Sequence, residues 1–145
     1  LAGCYLPRVW WSAAALLEMG RGSVVAPHYG KSIEEQRAND LFRWLRDFGQ
    51  HFGWRRAGSL DELQLEANQG AIALIVARRK VDGQSGHIVA VVPETDAFSA
   101  RRDVAGNIRT PLQSQAGARN FRYGSGKPDW WRAEQFAEFA FWLHP

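Results

Sequence analysis

Apolar residues recur at intervals of three and four along the first 70 positions, the spacing of helices that bury one face. Residues 5–19 have this pattern, and Pro7, which a helix tolerates only in its first turn, places the helix start close to Cys4. Two more helices are predicted where a serine precedes a glutamate by three positions, the pattern of a capping box. One follows Ser32 and ends near position 48, and a shorter one follows Ser59.

The pattern changes in the second half of the chain to short apolar runs. Residues 71–79 and 87–92 are strand-length, and the segment KVDGQSG between them contains an Asp-Gly pair that favours a hairpin. Residues 109–117 alternate in polarity and predict a third strand. Residues 130–143 have apolar side chains at helical spacing and predict a closing helix. Helices followed by an antiparallel sheet and a final helix predict one α+β domain over residues 1–145.

Composition agrees with a globular domain that buries a core. The chain has 145 residues, of which 46% are hydrophobic and 23% are charged. No apolar run approaches the roughly 18 residues that a membrane span requires. The first residue is leucine, so we expect that the start of the chain has been trimmed. The formal net charge of +3 is spread along the chain, which favours a solvated surface over a dedicated polyanion site.

Several kinds of chemistry have no support in the sequence. Cys4 is the only cysteine, which excludes an internal disulfide and a cysteine-rich zinc site. No H-E-x-x-H pattern is present, and no glycine-rich phosphate loop follows a predicted strand. We therefore expect no cofactor, no metal and no nucleotide. The seven tryptophans could line a glycan groove, although most are expected to lie in the core or half-buried at the surface.

Cys4 and His87 form the most specific candidate pair. Free N–H groups at the start of a helix favour the thiolate form of Cys4 and could bind an oxyanion. His87 begins an apolar strand directly after Gly86, where sheet pairing would hold an imidazole rigidly as a general base. Gln113 and Gln115 share one face of the next predicted strand, and either could orient the ring. Each residue alone is more often structural, but their order along the chain is that of a cysteine peptidase.

Three stretches carry a resemblance to a known family. They are CYLPRVWWSAAALLEMG, ANDLFRWLRDFG and LQLEANQGAIALIVARRKVDGQSGHIVAVV, which together cover most of residues 4–92. In order and spacing they resemble the NlpC-type and CHAP-type papain-like cell-wall cysteine peptidases, and most closely the type VI secretion amidase effectors. The resemblance implies a papain-like fold in which N-terminal helices pack on a central antiparallel sheet.

The resemblance also implies an activity, which is hydrolysis of a peptide bond in bacterial peptidoglycan by a cysteine endopeptidase or amidase. Cys4 would be the nucleophile and His87 the general base, with Gln113 or Gln115 as the third catalytic residue. Relatives build the substrate groove from positions that correspond here to His28, Tyr29 and Asn39. By analogy, the protein would be secreted, would act in the periplasm and cell wall of a target bacterium, and would have an immunity protein as a partner.

Two alternatives remain open from the sequence. An acyltransferase or a transglutaminase-like enzyme could use the same Cys–His pair. A module without catalytic activity could instead bind glycan or nucleic acid through a basic, tryptophan-rich surface, although nucleic acid is the less expected ligand.

Overall fold

A computed structural model describes residues 38–117 and 119–145 of the chain. Two α-helices lie in this part: α1 is Ala38–Phe48 and α2 is Leu60–Asn68. Short 3-10 helices occupy Gly49–Phe52 and Trp130–Arg132. The predicted helix over residues 5–19 lies outside the described residues, as does the predicted start of the second helix at Ser32. Neither described helix is long and apolar enough to cross a membrane.

Strands form most of the described structure. They are β1 (Arg55–Arg56), β2 (Ile72–Arg79), β3 (His87–Val91), β4 (Arg101–Arg102), β5 (Ile108–Thr110), β6 (Gln113–Gln115), β7 (Phe121–Gly124) and β8 (Phe136–His144). The main sheet has the order β1-β8-β2-β3-β6-β7, and every neighbouring pair is antiparallel. Strands β4 and β5 form a separate two-stranded sheet. The predicted α+β class, with helices packed on an antiparallel sheet, is confirmed.

Both faces of the main sheet are covered. On one face of β2, Leu74 and Val76 pack against the buried side of α1. On the opposite face, Ala73 and Ile75 pack in a second cluster with α2 and Trp131. Because successive strand residues point to opposite faces, a strand between two helices must be apolar at every position. This burial explains the uninterrupted apolar run at residues 71–77, which ends where Arg78 and Arg79 become partly exposed.

The predicted closing helix over residues 130–143 is wrong. Only a 3-10 turn forms at its start, and the chain then enters β8, which lies between β1 and β2. Trp142 faces the cluster around α1, whereas Phe141 and Leu143 face the cluster around α2. Burial on both faces places apolar residues at odd and even positions, which hides the two-residue period of a strand. The aromatic-rich composition of the segment FAEFAFWLH favours a strand, so composition predicts this element better than the spacing of its apolar residues does.

The predicted third strand over residues 109–117 is interrupted. The chain forms β5 in the small sheet, crosses Pro111 and Leu112, and forms β6 in the main sheet. Proline has no N–H to donate to a ladder, so a break in pairing at Pro111 is favoured. The other local predictions here are confirmed: β2 and β3 pair as a hairpin, and Ser59 Oγ accepts a hydrogen bond from the Glu62 N–H at 3.1 Å at the start of α2.

Candidate active site

His87 lies at the first position of β3, opposite Ala77 of β2. Strand alternation puts His87 on the same sheet face as Val91, whose partner on β6 is Gln113. Gln115, two residues further along β6, therefore shares that face as well. The hairpin and the β3–β6 pairing bring the imidazole and both glutamine side chains to one surface of the sheet.

The hydrogen bonds of Gln115 determine which ring nitrogen of His87 carries the proton. The amide Nε2 of Gln115 donates to the carbonyl oxygen of Arg119 at 2.9 Å. The amide Oε1 therefore faces the ring, and it lies 2.9 Å from His87 Nε2. Because an amide oxygen can only accept, Nε2 is the protonated nitrogen of the neutral imidazole. The lone pair then lies on Nδ1, the nitrogen that can act as a base.

Gln113 has a different role. Its side chain is completely buried, and its Nε2 donates to the carbonyl oxygen of Ser125 at 3.1 Å. Its Oε1 accepts a hydrogen bond from the indole Nε1 of Trp130, also at 3.1 Å. Trp130 in turn contacts the His87 ring edge-to-face, with ring centroids 4.6 Å apart and planes at 77°. Gln113 thus holds the tryptophan that packs on the histidine, whereas Gln115 contacts the histidine itself.

The backbone before His87 is held by Asn39, which lies at the start of α1. Its Oδ1 accepts from the N–H of Arg79 at 2.9 Å, and its Nδ2 donates to the carbonyl oxygen of Gln84 at 2.8 Å. Gly86 lies against this clamp, because a Cβ at Gly86 would overlap Asn39 Oδ1 and the carbonyl oxygen of Ala77. The glycine before the histidine is therefore required by close packing.

A cleft of about 900 Å³ opens beside this arrangement. We call it the His87 cleft and define it by six of the residues that line it: His87, Gln115, Trp130, Arg79, Arg119 and Lys127. Trp130, which is almost fully buried, forms one wall of the cleft, while His87 and Gln115 are partly exposed. The imidazole thus faces an opening large enough for part of a peptide, a property that a buried structural histidine would not have.

The predicted site residues fall into three groups. His87 and Gln115 meet in the cleft, and Gln113 lies behind them. Asn39 does not line the cleft, because its side chain is only 1% exposed and its amide is occupied by backbone groups. The predicted contact between Asn39 and substrate is therefore replaced by a positioning role. Cys4, His28 and Tyr29 lie outside the described residues.

Sequence reasoning did not assign four residues of this site. The spacing of residues 130–143 predicts a helix for Trp130, and a helix gives no reason to expect its contact with a strand histidine. The cleft cations Arg119 and Lys127 flank β7, whereas Arg79 ends β2 far from them in the chain, and no sequence pattern groups the three. The one sequence signal that included Trp130 is the expectation that tryptophans could line a groove. All five tryptophans in the described part of the chain are buried, so the expectation that most would be core residues is confirmed for these five.

The described residues define an α+β protein with a double-covered antiparallel sheet and a histidine–glutamine pair at a cleft. Within residues 38–117 and 119–145, no group of three or more His, Cys, Asp or Glu side chains is arranged to hold a metal ion. In comparisons with known proteins, no family model, no curated protein and no solved structure matches the chain.

Proposed function

We propose that the protein is a cysteine amidase or endopeptidase that hydrolyses a peptide bond in bacterial peptidoglycan, and that its fold is papain-like. The observation that supports this most directly is the hydrogen bond between His87 Nε2 and Gln115 Oε1. It leaves the lone pair on Nδ1 of a held imidazole whose residue lines the cleft. In the described part of the chain, Nδ1 has no hydrogen-bond partner of its own. A neutral imidazole in this state is suited to take a proton from a thiol.

The proposed reaction uses Cys4 as the nucleophile. His87 Nδ1 accepts the thiol proton as the sulfur attacks the scissile carbonyl carbon. Collapse of the tetrahedral intermediate breaks the C–N bond, and the imidazolium returns the proton to the leaving amine. Water, activated by the same nitrogen, then hydrolyses the thioester and regenerates the thiol. Gln115 orients the ring throughout and stabilises the protonated imidazole by accepting from Nε2.

Three features of the described residues support an active base over a structural histidine. The ring is partly exposed at a cleft, its tautomer is determined by an amide whose own orientation is fixed, and an aromatic wall limits its rotation. A histidine that only filled space at a strand end would need none of these contacts. The peptidoglycan substrate, the secreted antibacterial role and the immunity partner rest on the family resemblance alone.

Digestion of purified sacculi followed by mass analysis of the released muropeptides tests the proposal. We expect the wild type to release fragments with newly formed amine and carboxyl ends. Cys4→Ala and His87→Ala should each lower the initial rate by at least about 100-fold, the usual contribution of a general base. Gln115→Ala should have a smaller effect than His87→Ala because the ring remains present.

His51→Ala is the matched control, since His51 is an exposed histidine on a 3-10 turn away from the cleft lining. It should leave the rate unchanged. Wild-type rates in Cys4→Ala would overturn the amidase proposal and favour a binding module. Adding a primary amine during digestion distinguishes the acyltransferase alternative, because a transferase would give amide-linked adducts in place of hydrolysed ends.

A further inference from the structure

Three cations line the His87 cleft, and the described residues supply no acidic partner for them. Arg79, Arg119 and Lys127 line it, and no aspartate or glutamate is among the described residues of its lining. The nearest acids in sequence, Asp129 and Glu134, are exposed and are not part of the lining. A concave surface with charges of one sign attracts a ligand of the opposite sign.

These cations differ from several others in the described structure, where arginines are neutralised within the protein. Arg78, the neighbour of Arg79, forms an ion pair with Glu138 at 2.9 Å. Arg102 likewise pairs with Glu94 at 2.7 Å. Within the described ranges, by contrast, no ion pair involves Arg79, Arg119 or Lys127. The described residues therefore leave the positive charge of the cleft without a counter-charge.

Arg79 is the most constrained of the three. It is half-buried, its Nε donates to the carbonyl oxygen of Ser85 at 3.0 Å, and its guanidinium lies 5.5 Å from the centre of the Phe136 ring. These contacts hold the planar group but leave its two terminal nitrogens as donors. A guanidinium fork in this state matches a carboxylate, which it can bind with two parallel hydrogen bonds.

The sheet order places two of these charges, Arg79 and Arg119, on either side of the histidine. Strand β3 lies between β2, which ends at Arg79, and β6, whose turn to β7 contains Arg119. The Arg119 backbone contacts the site directly, because its carbonyl oxygen accepts a hydrogen bond from the Gln115 amide. An anion between these cations would therefore lie in the same cleft as the imidazole.

We propose that the His87 cleft recognises a free carboxylate on the peptide substrate, next to the bond that is cut, through Arg79, Arg119 and Lys127. This inference rests on the proposed amidase function and narrows its substrate class to acidic peptides. A peptide whose carboxylate is amidated should bind poorly, since the cations would be desolvated without a counter-charge.

Binding of a matched peptide pair tests the inference without requiring catalysis. The probes are the blocked tripeptides acetyl-Ala-Glu-Ala-amide and acetyl-Ala-Gln-Ala-amide, titrated into the intact protein by calorimetry at low salt. We expect at least a tenfold preference for the glutamate peptide, the size of one charge-assisted hydrogen bond. The double variant Arg119→Gln/Lys127→Gln should lose that preference and bind both peptides equally.

Arg101→Gln is the matched control, because Arg101 is an exposed arginine on β4 that lies outside the cleft lining. It should retain the preference of the wild type. Equal binding of the two peptides by the wild type would overturn the inference. So would an unchanged preference in the double variant, or tighter binding of a single-stranded oligonucleotide than of the glutamate peptide at equal salt.

A second readout separates this inference from the amidase proposal. Sacculi whose carboxylates have been converted chemically to amides should be digested at least tenfold more slowly than untreated sacculi by the wild type. If the glutamate preference is found but untreated sacculi stay intact, the carboxylate site stands and the amidase proposal fails. If both kinds of sacculi are digested equally fast, the amidase stands and the carboxylate site fails.

Discussion

At the scale of single residues, the site depends on which atom of each side chain faces which neighbour. Two glutamines two positions apart on β6 have separate tasks: Gln115 accepts from the His87 ring, and Gln113 accepts from Trp130. Each glutamine amide is itself anchored to a backbone carbonyl oxygen. The imidazole is therefore held at its edge by a hydrogen bond and beside its ring by an aromatic contact, and both supports are preorganised.

The glycine before the histidine is the residue where a small change should have the largest effect. Replacing Gly86 with alanine would press a methyl group against the Ala77 carbonyl and the buried Asn39 amide. Neither neighbour can move easily, so we expect Gly86→Ala to lower the free energy of unfolding by about 1–3 kcal/mol, the range of an overpacked site. Urea denaturation measures this loss.

Gly83→Ala provides the comparison for Gly86→Ala. Gly83 lies in the same connection, and a Cβ there would meet nothing within 4 Å. We expect the free energy of unfolding of Gly83→Ala to stay within about 0.5 kcal/mol of the wild-type value. Similar losses in the two variants would contradict the role assigned to close packing at Gly86.

At the scale of secondary structure, local signals were reliable at element starts and weaker where tertiary burial dominates. The start of α2 follows from its sequence, since Ser59 caps the helix and the Glu62 carboxylate accepts from the Gly58 N–H at 2.6 Å. In a reciprocal capping box that carboxylate would bond the N–H of Ser59 itself, so the motif here is shifted by one residue. The helix start needs no long-range contact to be specified.

Removing this cap should destabilise the protein measurably. Ser59→Ala leaves the Glu62 N–H without its side-chain acceptor, and we expect a loss of about 1 kcal/mol in the free energy of unfolding. Ser59→Asn restores an acceptor of similar quality and should recover most of that loss. Thermal and urea unfolding of the wild type and the two variants measures whether the asparagine variant is more stable than the alanine variant. An asparagine variant no better than the alanine variant would show that the serine acts by another route.

At the scale of the whole molecule, one carboxylate joins several separate segments. Glu94 accepts hydrogen bonds from Arg102 at 2.7 and 2.8 Å, from Asn68 at 2.9 Å and from the Ala100 N–H at 2.8 Å. Arg102 lies on β4, Asn68 is the last residue of α2, and Ala100 lies in the loop that leads from β3 to β4. Through Glu94, the two-stranded sheet of β4 and β5 is therefore connected to α2. The hydrogen bond from Arg102 is the largest of the interactions that lower the pKa of Glu94 to about 2.

Stability should therefore fall in acid through Glu94. The pKa of Glu94 in the folded state, about 2, lies below its ordinary value of 4.5, so the unfolded chain binds the proton more readily between these values. The contribution is complete above about pH 4.5 and is lost as the pH falls towards 2. With screening at this partly exposed site, we expect it to be about 1–2 kcal/mol.

Urea denaturation at a series of pH values measures this contribution. Glu94→Gln should be less stable than the wild type at pH 7 and should lose less stability between pH 4.5 and 2. Asp96→Asn neutralises an exposed acid in the same loop and should retain the wild-type slope. Parallel pH profiles for Glu94→Gln and the wild type would contradict the assignment.

Local patterns predicted the α+β class, the β2–β3 hairpin and the cap of α2, because each depends on residues close together in the chain. They also identified His87 and both glutamines as candidates. They failed for β8, whose burial on two faces removes the period by which an isolated strand is recognised. They failed again at residues 109–117, where Pro111 divides the segment between two sheets.

By itself, then, the sequence determined the residue types available for chemistry and the short-range order of the hairpin that carries His87. Tertiary structure alone decided that Gln115, and not Gln113, contacts the imidazole, because strand pairing and the Arg119 carbonyl select between them. It also decided that Asn39 binds the backbone before His87, and that Arg79 shares a cleft with Arg119 and Lys127. Such relations depend on distances between segments far apart in the chain, which periodicity and spacing do not contain.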